Sequence, residues 1–173
     1  RGGFKHPELT SLEEWWGRHL SDYYAAFRCL GGTFDAAVDA TPFIRAHVEA
    51  QLHQVRALDL RERVERKVWV AVEEAVAATH LPARVANAAW DVFFGRSVTP
   101  RYYRPLADVS PATATNDLAA AVAAGLLRAE GRARSRTYRA GEGLYLRIGA
   151  ALGVPVDTPG EAARAAIIGE LTR

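Results

Sequence analysis

Five arginines from Arg128 to Arg139, and a polar cluster at Thr113, Thr115 and Asn116, are the residues best equipped for chemistry in this chain. Guanidinium groups neutralise phosphates, and an asparagine amide can pair with the edge of adenine through its donor and its acceptor together. The pattern suits a nucleic-acid surface. Arg128, Arg132, Arg134 and Arg136 would take the backbone, and Thr113, Thr115 and Asn116 would face the bases. Asp117, next in line, would repel a phosphate. The charge distribution points the same way. Residues 81–140 hold nine arginines against four acids, whereas residues 1–80 hold ten basic residues against twelve acids. The net charge of +2 conceals this asymmetry.

Other chemistries lack their residues. His6, His19, His47, His53 and His80 never take His-x-x-x-His spacing, and Cys29 is the single cysteine. No metal ligands, disulfide framework, glycine-rich phosphate loop or paired carboxylates are expected, hence no catalytic residue and no cofactor. No apolar run approaches membrane-spanning length and no leader stands at the start, so the expected location is cytoplasmic, away from membranes. The 173 residues contain no Met. The expectation is a piece excised from a longer protein.

The elements that must position the arginines follow from start and stop signals. Thr99-Pro100 and Ser110-Pro111 each place a hydroxyl at an N-cap and proline at the first helical position. Pro105 leaves the first of these helices short or kinked. Gly125 ends the second, and Leu126–Glu130 leaves it as a strand. Gly131 and Arg132 turn the chain, and Ser135–Arg139 returns. With Arg96-Ser97-Val98 as a short first strand, this is the outline of a winged helix-turn-helix, with 111–124 as the recognition helix. That helix has no Lys or Arg, so binding would lean on the hairpin. Of Tyr102 and Tyr103, one should pack and the other should reach solvent or a phosphate.

Upstream, Ser11-Leu12-Glu13-Glu14 is a capping box. It opens a helix carrying Trp15, Trp16, His19, Tyr23, Phe27 and Leu30, stopped by Gly31-Gly32. Thr41-Pro42 opens a second helix with nothing to break it before Pro82, roughly 55 Å if continuous at 1.5 Å per residue. Its charge run from Asp59 to Lys67 pairs at i,i+4 and reads as a solvated face. A slip of the apolar stripe near Leu58–Leu60 predicts a bend or rotation. Pro82–Phe94 reads as a shorter helix with Val85, Ala89, Val92 and Phe93 inward. Two further helices are expected after residue 141.

Three stretches resemble the C-terminal part of Fic-domain proteins. Ser11-Leu12-Glu13-Glu14-Trp15-Trp16 through Asp22-Tyr23-Tyr24-Ala25-Ala26-Phe27 is similar to the helix after the family's catalytic motif. Asp39-Ala40-Thr41-Pro42-Phe43-Ile44 resembles its acid and Thr-Pro-aromatic start of a long helix. Ala112–Leu118 with Gly125-Leu126-Leu127 is similar to the winged helix often appended to bacterial members. The family implies transfer of a nucleotide monophosphate to a protein hydroxyl, through a His-Pro-Phe-x-x-Gly-Asn-Gly-Arg motif. Here His6-Pro7 is followed by Glu8, and that motif is missing. The family's inhibitory Ser/Thr-x-x-x-Glu-Gly/Asn pattern is missing too.

The expected architecture is therefore mainly α with a small β-hairpin: Fic-like helices over 1–80, a winged helix-turn-helix over 81–140 and C-terminal helices over 141–173. The expected role is a non-catalytic part of a Fic-family protein with regulatory DNA binding through the winged helix. The alternatives are a winged helix that docks a protein partner or drives self-association, and a stand-alone transcriptional regulator.

Overall fold

The computed structural model describes residues 12–33, 35–132 and 135–173. Among them are eight helices and one two-stranded antiparallel sheet, so the protein is mainly α with a small hairpin. No described helix is long and apolar enough to cross a membrane. Packing divides the chain into two compact units, residues up to 63 and residues 64–173.

The first unit holds α1 (Leu12–Arg18), α2 (Leu20–Arg28) and the first part of α3 (Thr41–Ala77). The single helix expected from Ser11 to Leu30 is in fact two, broken at His19. The His19 ring takes the Trp15 carbonyl at 2.8 Å, the acceptor that the His19 backbone N–H would use in an unbroken helix. That N–H goes to Trp16 instead. His47 makes the same bond to the Phe43 carbonyl at 2.9 Å inside the unbroken α3, so the ring bond accompanies the break rather than causing it; Gly17, two residues earlier, adds little helical preference. Ser11, the expected cap, lies outside the described residues. At α3, Asp39 Oδ1 accepts the Thr41 N–H at 2.9 Å and caps the start. Bonding to Thr41 holds the Asp39 carboxyl below its ordinary range.

Aromatic rings make the core of this unit. Trp15 lies flat between His19 and His53, with centroids at 3.9 and 4.6 Å. Trp16 is buried against Tyr23 and His47, and Phe27 meets Phe43 edge-on at 5.0 Å. Trp15 near His53 and Phe27 near Phe43 means that α1 and α2 run antiparallel to α3.

The second unit begins inside α3, where Val64, Val68, Val72 and Val76 are buried at i,i+4 spacing. The helix is unbroken through Leu58–Leu60. Residues 61–63 and 65–67 around Val64 are exposed, and Arg63 pairs with Asp59 at 3.0 Å, so the charge run is a solvated face. Beyond it come α4 (Val85–Phe93), α5 (Pro100–Leu106), α6 (Pro111–Ala123), β1 (Leu127–Glu130), β2 (Thr137–Ala140), α7 (Glu142–Leu152) and α8 (Gly160–Leu171). Thr99 accepts the Tyr102 N–H and Ser110 accepts the Thr113 N–H, as their N-cap positions require.

Gly125 turns from α6 into the hairpin at φ 73°, and its carbonyl lies where a Cβ on Gly141 would stand. The start of α7 therefore packs directly on the end of α6. Leu118 and Leu126 share the fully buried core with Leu144 and Ile148 of α7 and Ile167 of α8. The sequence-based boundaries at 80 and 140 separate elements that pack together here. The strand expected at Arg96–Val98 is a single bridge, Val98 to Tyr138. It stays that short because the Arg96 N–H is taken by Asp91 and Thr99 already caps α5.

Candidate nucleic-acid interface

The outer face of α6 follows from which of its side chains turn inward. Ala114, Asp117, Leu118 and Ala121 are buried. Ala112, Thr115, Asn116, Ala119 and Ala120 are exposed. The result is a smooth face with Thr115 and Asn116 as its polar groups. The Thr115 hydroxyl donates to the Pro111 carbonyl at 3.0 Å and keeps its lone pairs free. Thr113 is only half exposed, and its hydroxyl shares a 2.9 Å hydrogen bond with Ser110. It serves the cap more than the surface.

The expectation that Asp117 repels phosphate is overturned. Asp117 is 6 % exposed, and its carboxylate is gripped by Arg84 Nε and Nη2 at 2.7 and 3.0 Å. Tyr103 Oη donates to the same carboxylate at 3.0 Å. This ties the turn before α4 to α5 and α6, and it removes the only negative charge of α6 from the surface. The Asp117 carboxylate raises the Arg84 pKa, and burial followed by the bond to Asp117 pushes the Tyr103 phenol well above its ordinary value.

A second tie has the same parts. Tyr102 Oη donates to Asp91 at 2.8 Å, and Arg96 reaches the other oxygen at 3.3 Å. Adjacent tyrosines thus serve two buried aspartates. Tyr103 is fully buried; Tyr102 keeps 42 % of its surface, but its hydroxyl is spent on Asp91.

The hairpin separates its arginines by register. Arg128 and Arg139 are directly opposite each other. Glu130 takes both, Arg128 at 3.0 Å and Arg139 at 2.9 Å. Like charges facing across a strand pair repel, and Glu130 resolves that repulsion. Arg128 is thereby partly neutralised as a phosphate contact. Arg132 and Arg136 are exposed at the turn, and no carboxylate pairs with them among the described residues. Arg134, expected to act with them, lies outside the described residues.

Two arginines were not anticipated. Arg101 and Arg104 on α5 are exposed, have no carboxylate partner among the described residues, and border a cavity of about 760 Å³. Pro105, Pro111 and Thr115 form part of its wall, so it opens beside the N-terminal turn of α6; the exposed Asp108 lines it too and offsets part of the positive charge. Their signal was present in the sequence: two arginines three apart, on one face of a helix that has no acid of its own. Exposed arginines without a carboxylate partner among the described residues thus stand in pairs on α5 and at the hairpin turn, and singly at Arg147 on α7. Among the described residues no three of His, Cys, Asp and Glu converge as a metal site would require. No family model, curated protein or solved structure matches this chain.

Proposed function

We propose that residues 82–140 form a winged helix that binds duplex nucleic acid, with α6 as the recognition helix and β1–β2 as the wing. The observation that carries this reading is the burial of Asp117 by Arg84 and Tyr103. It leaves α6 with a small, uncharged outer face able to approach a groove closely. Thr115 and Asn116 are the groups that would meet base edges. Arg101 and Arg104 from α5, with Arg132 and Arg136 from the hairpin turn, would hold phosphates. Arg128 contributes less, being held by Glu130.

The first unit is read as the helices that trail the catalytic motif in the Fic family. Support comes from the Asp39 cap on Thr41-Pro42 and from Tyr23 and Tyr24 on α2. On this reading the chain itself carries no nucleotidyl transfer, because the residues for it are missing from the sequence.

Fluorescence anisotropy on one random and one selected duplex, at two salt concentrations, tests the nucleic-acid reading. Replacing Arg101 and Arg104, or Arg132 and Arg136, with Ala should weaken binding to both duplexes alike. Each phosphate that the variant no longer neutralises should lower the salt slope by about one unit. Replacing Thr115 and Asn116 should change mainly the preference between duplexes. Absence of duplex binding by the unaltered chain at low salt would sink the proposal.

A further inference from the structure

The first unit leaves much apolar surface uncovered. Leu20, Tyr24 and Phe27 on α2, and Ile44, Val48 and Leu52 on α3, are between 40 % and 62 % exposed. Each set recurs at i,i+3 or i,i+4 and forms a stripe. On each helix the stripe is turned in the same rotational sense from the face that packs on the other. Because the helices run antiparallel, that shared sense brings both stripes to one side of the pair. The contact of Phe27 with Phe43 joins them. A stable interface buries about 1,200–2,000 Å² in total, a size that needs both stripes of each copy to contribute.

Charge along the edge of the α3 stripe identifies the occupant. Arg45, Glu49, Arg56 and Asp59 are exposed and alternate in sign. Arg45 and Asp59 lie seven residues either side of Leu52; Glu49 and Arg56 lie three and four residues either side. Rotated about Leu52, the helix sets Arg45 directly against Asp59, which also pairs with Arg63; Glu49 comes within one residue of Arg56, and Val48 within one residue of Val55. Such self-complementarity is the signature of an isologous two-fold contact. We infer that α3 pairs antiparallel with α3 of a second copy of this chain, about an axis at Leu52, with Leu20, Tyr24 and Phe27 flanking the seam. The inference does not rest on the nucleic-acid reading, and its readout is mass.

Sedimentation equilibrium of the full chain, from low micromolar to several hundred micromolar, tests it. The unaltered chain should be a dimer at the upper end. Glu49→Arg should raise the dissociation constant about tenfold, because it sets two like-charged pairs across the seam. Arg56→Glu should do the same. The double swap, Glu49→Arg with Arg56→Glu, should restore the original value, which a general loss of folding would not permit. Leu52→Lys should abolish the dimer while the helical circular dichroism stays unchanged. A chain that is monomeric throughout, a double swap without rescue, or a Leu52→Lys dimer would each overturn the inference. Monomer throughout would return this face to another occupant, such as the remainder of a Fic core.

Discussion

The two units hide their polar groups and spend their apolar surface in opposite ways. In the second, both buried aspartates are saturated: Asp117 by Arg84 and Tyr103, Asp91 by Tyr102 and Arg96. Large side chains such as Phe93, Leu118, Leu144 and Ile167 are fully enclosed. In the first, among the described residues, the core is a stack of aromatic and imidazole rings, the buried Trp16 indole N–H finds no partner, and six large apolar side chains stand in solvent. Buried polar groups that are fully bonded specify a unique packing. Exposed apolar stripes at helical spacing mark a surface awaiting a partner. The second unit also exposes Val70, Tyr102, Leu106 and Leu146, but these are spread over α3, α5 and α7, so the contrast is one of arrangement.

The largest effect should come from the core of the second unit. Leu118→Ala removes a fully buried side chain between α6 and its neighbours, and should cost about 2–5 kcal/mol. The tryptophans allow the two units to be followed apart, since Trp15 and Trp16 lie in one and Trp69 and Trp90 in the other. In a variant with Trp15 and Trp16 replaced by Phe, denaturation by fluorescence should report the Leu118→Ala loss in full. A shift below about 1 kcal/mol would mean that the second unit lacks the rigid core described here.

Asp117→Ala comes next, at about 2–4 kcal/mol, since it strands the Tyr103 hydroxyl in the interior and leaves Arg84 without its partner. The same measurement checks it. It also separates structure from surface, because on the proposed reading duplex affinity per folded molecule should barely change. Had Asp117 faced a phosphate, removing it would have tightened binding.

A smaller effect concerns alkaline pH. Burial and the bond to Asp117 raise the Tyr103 pKa; the bond to Asp91 raises that of Tyr102; burial raises that of Tyr145. For a phenol with a raised folded pKa, the unfolded chain loses its proton first as pH rises. The stabilisation is complete below the unfolded value near 10 and is lost as pH climbs toward the folded value. Stability of the second unit should therefore fall above about pH 10. Tyr103→Phe should make that fall shallower, while costing about 1 kcal/mol at neutral pH for the lost hydrogen bond. A parent and variant with identical alkaline slopes would refute the assignment.

What could be read in the sequence was what local chemistry decides. Thr99-Pro100, Ser110-Pro111 and Gly125 placed α5 and α6 closely, since a cap depends on residues within one turn of it. The break at His19 was not legible, because no proline or new cap marks it and Gly17 alone only weakens a helix. Nor was the fate of Asp117 legible: its partner Arg84 is 33 residues away in sequence. As a result, the one acid on α6 looked like an obstacle to binding when it is an internal tie. The register of Arg128 against Arg139, with Glu130 between them, likewise exists only once the hairpin is paired. Thr115, Asn116, Arg132 and Arg136 of the candidate surface thus came from residue types alone, and the sorting of free from neutralised arginines needed the fold.

The smallest effect on stability should mark the first unit most sharply. Val48→Lys replaces a side chain that is 61 % exposed in the middle of the α3 stripe. At low concentration, where the chain is a monomer, it should change stability by no more than about 0.5 kcal/mol, because it deletes no buried side chain and lysine favours helix more than valine does. At high concentration the unaltered chain should gain stability from self-association, since binding to the folded state alone raises the melting temperature. Val48→Lys should lose that concentration dependence. Melting curves at two widely separated concentrations would therefore coincide for the variant and differ for the parent. Coincident curves for both would mean that the exposed stripe contributes nothing to assembly, and the contrast between the units would reduce to one of packing density.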